Sequence, residues 1–337
     1  MRQSSKSHGG KSGRREPPKQ AVLLLTFNRP DLTAETLKAI STYRPAKLFV
    51  ASDGPRPFVA EDRELVDHTR SLIEQHVSWP CEIHRLYRGK NLGLREGVIQ
   101  AIDWFFEHVD EGIILEDDCV PHPDFFGYCE ELLERYRDDE RVWCIQGDNS
   151  AQLDLEGNAS YGFIKYALVW GWATWKRAWI HFDRDLEIWQ KVRGTRAVTE
   201  LWPDRIERRI NQQILDDLVR NPSVTWDYQW AFTVAWHRGL TTVPRVNLIR
   251  NVGWGREDAT HTKGRGKRAN ASTASILPLR HPPSVTRDRG AERQALYSKI
   301  FGAARFSLRY QIRKHARKTI RALGRMVSHL LYKKASR

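Results

Sequence analysis

The sequence predicts an α/β sandwich with a mostly parallel central sheet and a basic amphipathic helix at its C-terminal end. Three observations carry this expectation. Short apolar runs alternate with amphipathic stretches through residues 21–115, the pattern of buried strands joined by crossover helices. With 40% hydrophobic and 28% charged residues, the 337-residue chain has a globular composition and enough length for one sizeable core plus appendages. Residues 303–332 carry Leu308, Ile312, Ala316, Ile320, Leu323, Val327, Leu330 and Leu331 three and four apart, with Lys and Arg on the other faces.

The elements follow in order. Residues 1–19 are rich in Ser, Gly, Lys, Arg and Pro and read as a disordered basic arm. Residues 21–26 (AVLLLT) form a strand, and Asn28-Arg29-Pro30-Asp31 a turn whose Asp31 caps a helix over 32–42. Residues 47–52 (KLFVAS) give a second strand, stopped by Asp53-Gly54-Pro55, and 61–76 a second helix. A strand over 81–86, a helix over 92–108 and a strand over 112–115 complete the alternation, and the last runs into Glu116-Asp117-Asp118. Beyond residue 145 the texture changes. Ten of the thirteen tryptophans lie between Trp170 and Trp254, among helical stretches at 196–220 and 228–238 and strands at 166–170 and 243–249. The resulting division is a globular domain over 20–270, in two halves of different texture (20–145 and 146–270), then a linker over 271–302 and the basic helix within 303–337.

The net charge of +14 raises a nucleic-acid reading, which its distribution argues against. Residues 1–20 contribute +5 and residues 301–337 contribute +11, leaving the 280 residues between them at −2. A nearly neutral body offers no basic groove. The basic helix suits an anionic membrane surface instead, where each Lys or Arg contributes about 1 kcal/mol. No apolar run approaches the roughly 20 residues of a membrane span, and no apolar segment follows the basic N-terminal residues. The expected location is therefore cytoplasmic, peripheral on the inner face of the plasma membrane. Cys81, Cys119, Cys129 and Cys144 show no C-x-x-C spacing and read as reduced, with Cys119 a small buried residue at a strand end.

In open α/β sheets ligands bind beyond the carboxyl ends of the strands. That rule selects Thr26 to Asn28, Ser52 to Gly54 and Glu116 to Asp118 as one crevice. Three successive carboxylates at a strand end repel one another unless a cation compensates them, and Mn²⁺ or Mg²⁺ prefers such oxygen ligands, with substrate phosphates completing the shell.

The runs LLLTFNRP, SDGP, NLGLREGV and IILEDDCVPHPDFF together resemble the GT-A-fold glycosyltransferases over about residues 21–262. The chain is most similar to the family 2-like bacterial glycosyltransferases of the hemolytic-protein-like group, and more distantly to the eukaryotic N-acetylglucosaminyltransferase that begins complex N-glycan formation. The resemblance implies a Rossmann-like nucleotide-diphospho-sugar transferase whose donor is a UDP-sugar and whose acceptor is a glycan, a lipid-linked sugar or a protein. It makes Glu116-Asp117-Asp118 the DxD-type motif, with Asp118 on the metal and Asp117 facing the donor ribose or sugar. Thr26, Asn28 and Arg29 would line the nucleotide pocket, and Asp53 would hydrogen-bond the nucleoside.

Asn91 and Arg95 open a helix whose N-terminus and nearby cations suit the donor's negative charge, although Gly93 there also serves close helix packing. Trp226-Asp227-Tyr228-Gln229-Trp230 matches the family's W-D-D-W-like motif, with Tyr228 in place of the second Asp. An inverting transfer needs one base, and Asp227 is the candidate, its alternative role being the N-cap of the helix over 228–238. Trp172, in the loop that the resemblance places beside the donor sugar, and Trp226 are the indoles expected against sugar. His261, in a polar glycine-rich loop, reads either as a metal or diphosphate ligand or as a solvated histidine. Lys263, Arg265, Lys267 and Arg268 stand between a diphosphate grip and a solvated run.

A sugar nucleotidyltransferase is the competing enzyme class, and the loop after residue 26 lacks the long Gly-rich, Arg-Lys-bearing segment that would hold a triphosphate. A non-catalytic membrane or nucleic-acid binder built on the basic ends is the alternative outside enzymes. The basic C-terminal helix makes a prediction of its own. The full chain should co-sediment with anionic liposomes and a chain ending near Gly302 should not; equal binding by both would rule out the anchor.

Overall fold

The computed structural model describes residues 19–256 and 271–302; His261, the four basic residues after it and the segment 303–337 lie outside the described residues. The first half alternates as expected: β1 (Val22–Thr26), α1 (Pro30–Tyr43), β2 (Lys47–Ser52), α2 (Ala60–His76), β3 (Glu82–Tyr87), α3 (Leu94–His108) and β4 (Glu111–Glu116). Then come β5 (Cys119–Pro121), α4 (Asp124–Arg135), β6 (Val142–Gln146), β7 (Tyr161–Ile164) and β8 (Trp172–Trp175). Short helices α5 (Lys176–Trp179), α6 (Glu187–Val192) and α7 (Arg196–Leu201) lead to α8 (Arg205–Arg220) and α9 (Asp227–Trp236). The strands β9 (Leu240–Pro244) and β10 (Ile249–Asn251) and the helix α10 (Arg289–Gly302) close the described chain.

The eight-stranded sheet has the order β3-β2-β1-β4-β8-β6-β9-β7, with β8 and β7 antiparallel to the other six. This is the mostly parallel α/β architecture that the sequence predicts. Side chains alternate across it. Val22, Leu24, Leu48, Val50, Ile113 and Leu115 enter one core layer with α4, while Leu23, Leu25, Phe49 and Ile114 enter the other with α3 and the tryptophans. From β1 the chain runs outward to β2 and β3, then returns to the other side as β4. The crevice of such a sheet lies at this reversal, between the carboxyl ends of β1 and β4.

Several expected boundaries move. α1 begins at Pro30, whose fixed φ suits the first helical turn, so Asp31 sits inside the helix and does not cap it. The helix expected over 196–220 breaks at Trp202 to Asp204, where Pro203 interrupts it and Asp204 caps α8 by accepting from the amides of Ile206 and Glu207 at 2.8 Å each. Residues 166–170 are not a strand. Strand structure instead falls on Trp172–Trp175, expected as a loop, because β4 and β6 satisfy its backbone from both sides. Gly171 makes the entry: its φ is +57°, and a Cβ there would lie 2.6 Å from Ile249 Cγ1. The strand expected over 243–249 splits into β9 and β10, and β10 pairs with β5 in a separate two-stranded sheet.

The segment expected as a linker is packed along the domain. The Asp124 carboxylate accepts from Ser275 Oγ (2.5 Å), Ile276 N (2.8 Å) and Leu277 N (3.2 Å). Further on, His281 bridges the Tyr161 hydroxyl (2.9 Å) and Glu131 (2.9 Å), and Asp288 N reaches Phe163 O (2.8 Å) on β7. Burial works to raise the Asp124 carboxyl, but these donors outweigh it and hold the group below its ordinary range. Asp124→Ala should cost about 1–3 kcal/mol of unfolding free energy at pH 7. A carboxyl that titrates lower when folded contributes stability above about pH 4, and the contribution is lost as the pH falls through the folded value. Urea unfolding of both proteins at pH 7 and pH 3 should therefore show the gap closing; a constant gap would mean that the carboxylate does not hold this segment.

Candidate active site

Three strand ends meet where the sheet order reverses. Thr26 lies beside Ser52 in the β1–β2 register, and Leu25 beside Glu116 in the β1–β4 register. The residues expected to form one crevice are thus brought together by strand pairing. Only three residues, Phe27 to Arg29, connect β1 to α1, so Arg29 is delivered directly over the acidic triplet. Its Nε donates to Asp117 Oδ2 at 3.2 Å, its Nη2 to Asp117 Oδ1, and its Nη1 to Asp118 Oδ2 at 3.1 Å. Burial alone would lower the Arg29 guanidinium, but the charges of Asp117 and Asp118 outweigh it and raise it further. The arginine stays charged.

One guanidinium does not balance this end of the sheet. Desolvation, with the charges of Asp118 and Asp117, pushes Glu116 up to about 8 in spite of Arg29, and Asp227 adds to the same effect. Asp227, more than a hundred residues downstream, is near enough for its charge to be felt at Glu116. It is the first residue of α9; Trp226 precedes it in the cap position, and no side chain caps the helix. The capping role weighed for Asp227 is absent. Its carboxylate instead accepts from the Thr225 hydroxyl, and burial of Tyr228, with the Asp227 charge beside it, pushes that phenol up to about 12.

The triplet's carboxylates differ in setting. Asp117 is buried beneath Arg29 at 2% exposure, and its backbone oxygen accepts from Thr36 Oγ1 at 2.8 Å. Asp118 retains a partly exposed carboxylate, with Cys119 Sγ 3.5 Å from Oδ1. The turn after β10 presses against it: Val252 N donates to Asp118 O at 2.8 Å, and a Cβ on Gly253 would overlap Oδ2 and lie 2.9 Å from the side chain's Cβ and Cγ. Among the described residues no three His, Cys, Asp or Glu side chains converge as a complete metal cage. The donor set, carboxylate oxygen at a strand end, fits Mg²⁺ or Mn²⁺ of the kind whose shell is finished by substrate phosphates and water.

Other expected site residues prove to brace loops. Asp53 accepts from the amides of Gly54 (2.9 Å), Leu92 (3.0 and 3.1 Å) and Gly93 (3.1 Å), tying the end of β2 to the start of α3. Asn91 Nδ2 donates to Gly54 O at 3.0 Å across the same gap. Thr26 is buried, with Oγ1 3.5 Å from Ala51 O. Arg95 turns away from the triplet to Glu96, Arg184 O (2.6 Å) and Asp185 (2.7 Å). Trp172 and Trp226 correct the expectation of sugar-facing indoles: they are 1% and 2% exposed and pack against each other and against Trp179 and Trp230. Hydrophobic packing explains them without a ligand. Sequence reasoning missed Gly253, whose role depends on contact with a residue 135 positions earlier, and Asp62, which holds Asn28 Nδ2 at 2.7 Å.

No protein-family description matches the chain, and no curated protein matches it in sequence. Among solved structures it is similar to a UDP-glucose pyrophosphorylase complexed with UDP-glucose (7% identity, 69% of this chain and 93% of that one, TM-score 0.35). It is also similar to 4-diphosphocytidyl-2C-methyl-D-erythritol synthase from Anaerococcus prevotii (9%, 52% and 78%, TM-score 0.32) and to mouse xyloside xylosyltransferase 1 in its apo form (12%, 64% and 80%, TM-score 0.31). Likenesses this low carry no argument about activity.

The Gly253 contact is directly testable. Gly253→Ala should displace the Asp118 carboxylate; if that carboxylate binds a nucleotide through Mn²⁺, calorimetric titration should show the affinity weakened at least about tenfold, a change of about 1.4 kcal/mol. Unchanged affinity would remove Asp118 from the binding site.

Proposed function

We propose that the chain is a metal-dependent hexosyltransferase that moves a sugar from a nucleotide-sugar donor, a UDP-sugar, to an acceptor hydroxyl with inversion, in glycan or cell-surface polysaccharide synthesis. The observation that carries this reading is the under-compensated acidic centre at the β1/β4 reversal, with Asp118 partly exposed and Asp227 close enough to act on Glu116. The sequence resemblance to GT-A glycosyltransferases supports it independently.

In this reading Asp118 would hold Mn²⁺ or Mg²⁺ together with the donor diphosphate. The bound ion would offset the negative charge that grows on the leaving nucleoside diphosphate. Arg29 keeps Asp117 and Asp118 in place before the donor arrives. Asn28 lines the nucleoside end, while Asp53 and Asn91 fix the loops that shape it. Asp227 takes the proton from the acceptor hydroxyl as that oxygen attacks the anomeric carbon, and the bond to the diphosphate breaks on the opposite face. Thr225, donating to one Asp227 oxygen, orients the carboxylate. His261 stays a proposed metal or diphosphate ligand on resemblance alone. The three-residue connection after β1 argues against a nucleotidyltransferase, because it leaves no loop to grip a triphosphate. No described helix is long and apolar enough to cross a membrane, and the basic segment 303–337 is read as a surface anchor beside the anionic leaflet.

Purified chain incubated with UDP-sugars and Mn²⁺ should release UDP; pyrophosphate formed from UTP and a sugar phosphate would replace this reading with nucleotidyl transfer. Asp118→Ala should abolish metal-dependent donor binding. Asp227→Asn should bind donor normally and lose transfer about 10²-fold or more, so wild-type turnover in that variant would remove the base assignment.

A further inference from the structure

Asp62, in the first turn of α2, is completely buried, yet its carboxylate does not cap the helix that carries it. Oδ1 accepts from Asn28 Nδ2 at 2.7 Å and from Arg56 Nη2 at 2.8 Å; Oδ2 accepts from Arg56 N at 3.0 Å and Arg56 Nε at 2.5 Å. An ionised carboxylate only accepts hydrogen bonds. The contact therefore decides which way the Asn28 amide stands, with its NH₂ group on Asp62 and its Oδ1 turned away as an acceptor. The same carboxylate grips the Arg56 guanidinium as a two-pronged fork and holds it over the Phe27 ring, 5.4 Å from the centroid.

The Arg56 fork holds the Asp62 carboxyl below its ordinary range, so the pair contributes stability at neutral pH. The arrangement also fixes one acceptor on the β1–α1 connection and one flat cation, its side chain 48% exposed, on the β2–α2 connection. Arg56 follows β2 and Asn28 is tied to α2 through Asp62, whereas the acidic triplet follows β4 on the other side of β1. A nucleoside diphosphate with its phosphates at Asp118 would reach this set with its other end. An amide oxygen accepts from a base N–H, and a guanidinium plane stacks on a base face.

We infer that Asp62 is a positioning residue for the donor's nucleobase, acting through Asn28 and Arg56; the inference rests on the nucleotide-sugar reading above. Calorimetric titration of the full chain with UDP and with inorganic pyrophosphate, each with Mn²⁺, separates the base end from the phosphate end. Asp62→Asn lets the Asn28 amide turn over, and it should weaken UDP about tenfold while leaving pyrophosphate within about twofold. Adding Asn28→Ala to that variant should cost little more, because both changes remove one shared interaction. Should Asp62→Asn fail to fold, Arg56→Gln at a partly exposed position carries the same comparison. Parallel loss of both ligands, full additivity of the two substitutions, or unchanged UDP affinity overturns the inference alone. A wild-type chain that binds neither ligand overturns it together with the glycosyltransferase reading.

Discussion

The site is organised by a shortage of positive charge. Three consecutive carboxylates end a strand whose preceding residues are wholly buried, and a fourth, Asp227, approaches from α9. Like charges so placed raise one another's proton affinity unless a cation intervenes. Arg29 supplies one, through a fork on Asp117 and a single contact to Asp118, and can be there only because three residues join β1 to α1. Burial and the neighbouring carboxylates raise Glu116 in spite of Arg29.

The rest of the architecture holds that centre in place. The pairing of β1 with β2 and β4 lines up the loops on one edge, and Asp53, Asn91 and Asp62 tie those loops to one another. Insertion of β8 antiparallel between β4 and β6 widens the sheet and carries Trp172 into a layer with Trp179, Trp226 and Trp230. That layer seats α9, whose first residue is Asp227. The tryptophans thus matter to the site by packing: they set where a helix begins. Beyond them, residues 271–288 lie across α4 and β7, so the described C-terminal segment adds to the domain.

Much of this was legible in the residues. The β-α alternation through residue 116 follows from continuous apolar strands and amphipathic helices, each a local pattern, and the rule that ligands sit at strand carboxyl ends then names Asn28, Asp53 and the triplet. Later elements were less legible because their partners are distant. Trp172–Trp175 is four residues long and becomes a strand only when β4 and β6 flank it, and the helix expected over 196–220 is interrupted at Pro203, which has no amide to continue it.

The sequence by itself determined the fold class, the crevice and the chemistry of its acids, since apolar periodicity and a run of carboxylates are local properties. Tertiary structure alone decided which side chains remain available to a ligand. It turned Asp53, Asn91 and Arg95 into braces, buried Trp172 and Trp226, set Gly253 against Asp118 and placed Asn28 in the grip of Asp62. Hydrogen-bond commitment and exposure depend on neighbours far away in the chain, and no spacing of residues records them.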